Sequence, residues 1–350
     1  MSEPVVSEQD RTELDLLLRG FQVSRMLRLV ADLGIADKIA PTGEACVNAL
    51  ANACAVLPER LIRVLRALAG FGIFKVSADG NVSHTPRSHL LRRDTPSSMY
   101  HAARFWTGPG SWRAWGMLDV AMTGATPYEA AWNMDRFSYL REHPDEAQAF
   151  DAMMANFPDN RHAAIAAAYD FSGTRLIADI GGGNGATLRH ILALFRQPRG
   201  LVFDREDVVA SLSTDDRMHG RIDVQSGNFF DAVPEGADAY LLIRVLHNWK
   251  DEDCLRILRA CRHAMRAEAV LLLGEEILEI DPGRGQATAY LIDVQMMTMF
   301  GHARARSEGE FRALLDQSGF MLRRVIHTAS PVSIIEGTPV SAAHGLRVAT

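Results

Sequence analysis

The sequence predicts an α/β protein: a doubly wound, Rossmann-like domain in the second half, behind a mostly helical N-terminal domain of winged-helix type. Three observations carry this. Residues 176–204, LIADIGGGNGATLRHILALFRQPRGLVFD, read as strand, glycine-rich turn, helix and strand, with Asp179 and Asp204 at the strand ends. Strand and helix then alternate as far as Ile335. Near the other end, two short helical segments run into a hairpin between residues 45 and 84.

A chain of 350 residues is long enough for two domains. The boundaries expected are 1–96 for the winged-helix part, 97–165 for a helical linker, and 166–350 for the α/β part. The first ten residues, MSEPVVSEQD, read as disordered and carry no signal-peptide pattern. From Arg11 to about Ile39 the apolar residues Leu14, Leu17, Leu18, Phe21, Met26, Leu29, Val30 and Leu33 recur at helical spacing, and Gly34 marks a stop. Helices are expected near Ala45–Ala53 and Glu59–Ala69, the second with Pro58 at its first position. Ile73–Val76 and Asn81–His84 form two short strands around Asp79-Gly80, a hairpin signal.

Residues 97–165 read as helical and are rich in aromatic and thioether side chains. Phe105, Trp106, Trp112, Trp115, Tyr128, Trp132, Phe137 and Tyr139 fall here, with Met99, Met117, Met122, Met134, Met153 and Met154. Such side chains suit a pocket for a flat apolar ligand, and they equally suit a helix core or a subunit interface. Gly108-Pro109-Gly110 reads as a loop, and Pro158-Asp159-Asn160 as a helix break.

In the α/β half, Leu188, Ile191, Leu192 and Phe195 line one face of the helix after the glycine turn. Strands are expected at Ile222–Ser226, Ala239–Ile243 and from Ala269 to Glu275-Glu276. Helices are expected at Asp251–Ala264 and Ile292–Phe300, and from an N-cap at Ser307 to Ser318. Two closing strands lie near Met321–His327 and Val332–Ile335. In such sheets ligands bind at the carboxyl ends of the strands. Asp179, Asp204, Asn228, Arg244 and Glu275 all fall at or just after such ends.

The glycine turn has two possible ligands. Gly181-x-Gly183-x-x-Ala186 fits a dinucleotide fingerprint. Asp179-x-Gly181-x-Gly183-x-Gly185 fits a turn for S-adenosylmethionine. An acid beside the glycines repels a pyrophosphate and attracts a sulfonium with an ammonium tail, so Asp179 favours the second. His247 follows a strand end on the ligand side, where a neutral imidazole can take a proton from a phenol. Glu275, ending the next strand, can bond the other ring nitrogen and fix the tautomer. The plainer role for His247 is to cap the helix near Asp251.

Taken in order, the winged helix, the aromatic segment, DIGGGNG, VFD, GNFF, RVLHNW and a strand ending in an acid resemble the small-molecule O-methyltransferases of plant and bacterial secondary metabolism. The resemblance runs from about Leu14 to Ile335, and FGIFKV, DG and VSHTPRSHLLRRDTPSS resemble that family's N-terminal dimerisation domain. It implies S-adenosylmethionine as cofactor, an aromatic small-molecule acceptor and a homodimer. By this resemblance Gly181, Gly182 and Gly183 line the methionine portion of the cofactor. Asp204 holds the ribose, and Gly227, Asn228 and Phe229 surround the adenine, with Asp179 and Arg244 nearby. His247 becomes the general base, oriented by Glu275. Met154 and Met297 pack on the acceptor, while Phe105 and Trp106 are candidate acceptor contacts from the composition of the aromatic segment alone.

Three departures from the family pattern stand out. Asn228 and Asn248 replace the usual aspartates, the second removing negative charge near the imidazole. Ala305 stands where many relatives carry a second glutamate, with His302 as a weaker substitute. C- or N-methylation by the same fold is the near alternative. A DNA-binding regulator would need Arg60, Arg63 and Arg66 on the second short helix to read a groove. The interleaved Leu61, Ile62, Val64, Leu65 and Leu68 require much of that helix to be buried, and a net charge of −6 supplies no wider basic field. No nucleic-acid or membrane partner is expected, since no apolar run reaches spanning length. Cys46, Cys54, Cys254 and Cys261 form no C-x-x-C pair and no acidic cluster is evident, so no metal is expected, and the chain reads as reduced and cytoplasmic.

Overall fold

The computed structural model describes residues 5–96, 98–155 and 160–340. The chain forms two compact units, Met1–Arg113 with Leu140–Pro158, and Ala114–Tyr139 with Asp159–Thr350. The expected helical stretch 97–165 is thus shared between both units.

In the first unit, α1 (Glu8–Leu18) begins earlier than expected. The Ser7 hydroxyl accepts the Asp10 N–H and the Asp10 carboxylate accepts the Ser7 N–H, a capping box that orders the chain where disorder was expected to residue 10. The helix expected from Arg11 to Ile39 is divided into α1, α2 (Gly20–Asp32) and a 3-10 turn at Ala36–Lys38. Glu44–Cys46 form β1, followed by α3 (Val47–Ala53) and α4 (Pro58–Gly70), then β2 (Phe74–Val76) and β3 (Asn81–His84). β1 corrects the helix expected from Ala45: Ala45 and Cys46 pair with Val82 and Asn81, adding a third strand to the hairpin. On α4, Leu61, Leu65 and Leu68 are buried against Ile35, Ile39, Leu50 and Phe74. Burying each such leucine contributes about 1.5–3 kcal/mol.

The helices that follow are α5 (Pro86–His89), α6 (Tyr100–Trp106), α7 (Pro109–Trp115), α8 (Pro127–Trp132), α9 (Arg136–Glu142), α10 (Pro144–Ala155) and α11 (Arg161–Ala168). Pro109 and Gly110, expected in a loop, already belong to α7. α10 packs on α6. Of the expected helix break, Pro158 and Asp159 lie outside the described residues.

The second unit is built on a seven-stranded sheet in the order β6-β5-β4-β7-β8-β10-β9. Its elements are β4 (Leu176–Ile180), α12 (Ala186–Leu194), β5 (Arg199–Asp204), α13 (Glu206–Val209), β6 (Ile222–Ser226), β7 (Ala239–Ile243), α14 (Asp251–Ala264), β8 (Val270–Glu276), α15 (Ala287–Phe300), α16 (Glu308–Gln317), β9 (Phe320–His327) and β10 (Val332–Pro339). β6, β5, β4, β7 and β8 run parallel, and β10 pairs antiparallel with both β8 and β9. Helices cover both faces, so β7 reads AYLLI without alternation. One face packs Ile257, Leu258, Phe311 and Leu315 of α14 and α16, the other Ile165, Leu188 and Ile191 of α11 and α12. From β4 the chain winds outward through β5 and β6, then returns to β7 on the other side. The order reverses beside β4, and sheets of this kind bind their ligands at such a switch point, at the carboxyl ends of the strands.

Residues 114–139 belong to this unit and pack on α15. The Trp115 indole donates to Gln295 Oε1 at 2.7 Å, Phe137 lies 5.6 Å from Phe300 between ring centroids, and the buried Arg136 guanidinium meets Met299 Sδ. Among the described residues no helix is long and apolar enough to cross a membrane.

Candidate active site

The glycine turn between β4 and α12 is shaped by two constraints. Gly181 holds a φ of +70°, and a Cβ there would lie 3.0 Å from Val245 Cγ2, against which the turn is closed. At Gly182 a Cβ would come 2.8 Å from the carboxyl carbon of Asp179, so only glycine leaves room beside that acid. The Gly183 N–H donates to Asp204 Oδ2 at 2.9 Å, and the Arg205 N–H to Asp204 Oδ1 at 2.7 Å, which fixes the second carboxylate at the end of β5. The Gly227 N–H donates to the Asp204 carbonyl at 3.0 Å, bringing the segment after β6 to the same place. Phe229 packs edge-on against Phe230 and Trp249.

Asp179 is only 2% exposed, and its Oδ1 has no hydrogen-bond partner among the described residues. Burial, and then the negative charge of Asp204, push its carboxyl up to about 7. A buried acid with a second acid close enough to raise its pKa makes a poor site for pyrophosphate and a good one for a sulfonium and an ammonium group. The residues therefore fit S-adenosylmethionine.

His247 sits in a 3-10 turn, Leu246–Asn248, just after β7. It is 8% exposed, and Nδ1 lies 2.8 Å from Oε2 of Glu275, which is 0% exposed near the end of β8. Glu275 Oε1 accepts the Leu246 N–H at 2.9 Å and the His247 N–H at 3.4 Å. The carboxylate thus holds both the ring and the backbone of the turn. Burial lowers the imidazole pKa below its ordinary value, and the Arg244 charge lowers it further, against the opposing pull of Glu275. For Glu275, burial works to raise the pKa, and the charge and hydrogen bond of His247 together with Arg244 outweigh it.

Several predicted site residues are placed differently from the simplest expectation. Arg244 faces Glu275, with Nη1 3.7 Å from Oε2, and holds a left-handed φ of +57° that is costly for a non-glycine residue. Asn228 is exposed and ties its side chain into a local turn: Oδ1 accepts the Phe230 N–H at 3.1 Å, and Nδ2 donates to Asp231. Met297 lies on α15, which packs against the His247 turn. Phe105, Trp106 and Met154 belong to the other compact unit. His302 is exposed, and its ring makes no hydrogen bond among the described residues. The Ala305 N–H donates instead to Asp293 Oδ1 at 2.7 Å.

The sequence reading did not single out Arg161, a buried cation close enough to lower the His247 pKa. Nor did it find the contacts of Arg304 and Arg306 with the His247 turn. A cation following a helix break carries no spacing signal, and the arginines act through a long-range contact. Among the described residues no group of His, Cys, Asp or Glu could hold a metal ion.

Comparison with known proteins agrees with this geometry. Residues 115–321 match the O-methyltransferase domain, and residues 16–94 match the O-methyltransferase dimerisation domain. The chain is 37% identical over 316 residues to 3-amino-4-hydroxybenzoate 4-O-methyltransferase of Streptomyces cremeus, covering 88% of this chain and 85% of that one. It resembles the crystal structure of LaPhzM with a TM-score of 0.86 at 34% identity, covering 94% of this chain and 99% of that chain. It also resembles NcsB1, an O-methyltransferase from neocarzinostatin biosynthesis solved with S-adenosylmethionine and 2-hydroxy-5-methyl naphthoic acid, with a TM-score of 0.75 at 29% identity, covering 91% and 96%. With the matched domain spanning more than half of the chain, this protein belongs to the S-adenosylmethionine-dependent O-methyltransferase family.

Proposed function

We propose that the enzyme methylates a phenolic or enolic hydroxyl of an aromatic small molecule, with His247 as general base. The observation that carries this is the buried Glu275 carboxylate 2.8 Å from His247 Nδ1. That contact puts the ring proton on Nδ1 and leaves Nε2 as the basic nitrogen. Nε2 takes the hydroxyl proton, and Glu275 stabilises the imidazolium that forms. Because burial and Arg244 keep the ring neutral at physiological pH, it is ready to accept that proton without prior ionisation. S-adenosylmethionine, when bound, supplies the electrophilic methyl group. The protein otherwise contributes chiefly by holding the reacting atoms in line.

Asp179, Gly181, Gly182 and Gly183 are proposed to hold the methionine portion, Asp204 the ribose hydroxyls, and Gly227, Asn228 and Phe229 the adenine. Arg244 is proposed to act beside this site, chiefly on Glu275. Met297 is proposed as an acceptor contact. Met154 is proposed as a further contact from the resemblance, and Phe105 and Trp106 from the composition of their segment. In this reading residues 1–96 dimerise, 97–165 serve the acceptor and 166–350 bind the cofactor.

A homodimer through the N-terminal part is supported by apolar side chains left in solvent on α1 and α2, among them Leu14, Leu18, Phe21 and a Leu17 that is 77% exposed. A reducing, cytoplasmic setting fits four free thiols.

The test is methyl transfer to a panel of aminophenol and hydroxy-aromatic acids, beginning with 3-amino-4-hydroxybenzoate, the acceptor of the Streptomyces cremeus relative. Products methylated on oxygen support the reading, and methylation confined to carbon or nitrogen overturns it.

A further inference from the structure

We infer that Arg306 is a positioning residue for the base, clamping from the carbonyl side the same turn that Glu275 holds from the N–H side. This rests on the reading of His247 as the base.

Arg306 is 0% exposed. Its guanidinium spans the His247 turn: Nη1 donates to the Leu246 carbonyl at 2.9 Å and Nη2 to the Trp249 carbonyl at 2.7 Å. Nε and Nη2 also donate to Asp251 Oδ1, at 2.9 and 2.7 Å, joining the turn to the start of α14. Two residues earlier, the Arg304 N–H donates to the His247 carbonyl at 3.1 Å, and Arg304 Nη2 reaches Asp251 Oδ2 at 3.0 Å.

The clamp and the carboxylate share one frame. Arg306 forms a parallel bridge with Ile277, just beyond the end of β8, and its carbonyl accepts the Leu278 N–H at 2.9 Å. A shift of residues 304–306 therefore moves the His247 backbone relative to Glu275. Burying a guanidinium is costly unless its nitrogens find partners, and here each of the three does. That cost is met here by two carbonyls and one carboxylate arranged for a planar fork. Lysine, with a single nitrogen, cannot serve three acceptors spread this widely. The effect is mechanical: the guanidinium bonds the carbonyls of the turn, while the ring's own hydrogen bond goes to Glu275. It also gives the turn a second anchor in a chain where Ala305 supplies no second carboxylate.

The test compares wild type, Arg306→Lys and Asp251→Asn, with His247→Asn to assign the histidine signal. Nitrogen-15 spectra of the histidine rings read the tautomer without any acceptor. The expected result is a single Nδ1–H tautomer for His247 in wild type and an averaged signal in Arg306→Lys. Its kcat should fall by about 10²-fold, the scale of an ångström of misplacement, with the Kd for S-adenosylmethionine kept. Asp251→Asn, which keeps both carbonyl bonds, should show a smaller loss and serves if the lysine variant does not fold. A wild-type tautomer signal and wild-type kcat in the variants that fold would overturn the inference. Full turnover by His247→Asn would instead remove the base assignment, while the tautomer spectra still report whether Arg306 sets the ring.

Discussion

Glu275 reaches His247 from the neighbouring strand, 28 residues further along the chain, with Oε2 2.8 Å from Nδ1. The same carboxylate holds the N–H groups of Leu246 and His247, so the ring and its backbone are set by one group. Glu275→Gln keeps the size and loses the charge, and the amide can present either a donor or an acceptor to Nδ1. Turnover should fall by about 10²-fold or more, as expected when a general base loses its orienting anion. Titration calorimetry should give an unchanged Kd for S-adenosylmethionine.

The pH dependence follows from the charges around the imidazole. As the proposed base His247 acts when neutral, so kcat/KM is expected to rise with pH through its pKa. Burial and Arg244 lower that pKa, which places the acid limb of the profile below 6.5, the value for an ordinary histidine. Arg244→Met removes a cation that disfavours the imidazolium. The limb should then move to higher pH, as read from kcat/KM across pH 5–9.

Asp179 gives the opposite kind of linkage. Its carboxyl is raised from 3.8 to about 7, so the folded protein keeps a proton that the unfolded chain releases. The stability this contributes is fully present below pH 3.8 and is lost as pH rises through about 7. A cationic ligand favours the ionised form, so affinity for S-adenosylmethionine should increase through the same range. Asp179→Asn should flatten both dependences, raise stability to urea above neutral pH and weaken the ligand. Calorimetry and urea titration at pH 6 and 8 check this.

Exposed leucines on α1 provide a test of assembly. Leu17→Asp places a charge on the proposed contact face without touching a buried residue. Light scattering should show a dimer for wild type and a monomer for the variant, with circular dichroism unchanged.

Much of this was legible in the sequence because its signals are local. The acid, the glycines and the following helix lie within one short stretch, and glycine at 182 is required by an atom three residues away. Alternating strands and helices place His247 and Glu275 at adjacent strand ends from the sequence alone. Where the signal was not local, the reading failed. Ala45 and Cys46 belong to a three-residue strand, too short for a period, and their state is decided by the β3 edge they meet. The Arg306 clamp depends on the fold returning residue 306 to the 246–249 turn, and an arginine among arginines gives no hint of that. The aromatic segment resisted for a third reason. Helical spacing reveals which residues are buried, and it does not say that Trp115 packs in one compact unit while Phe105 and Trp106 belong to the other.

The most direct test is single-turnover transfer from isotopically labelled S-adenosylmethionine to a phenolic acceptor, comparing wild type with His247→Ala at matched cofactor saturation. The account predicts label on the acceptor oxygen with wild type, and a rate lower by about 10²–10⁴-fold in the variant at an unchanged Kd for S-adenosylmethionine. Transfer by His247→Ala at the wild-type rate would contradict it.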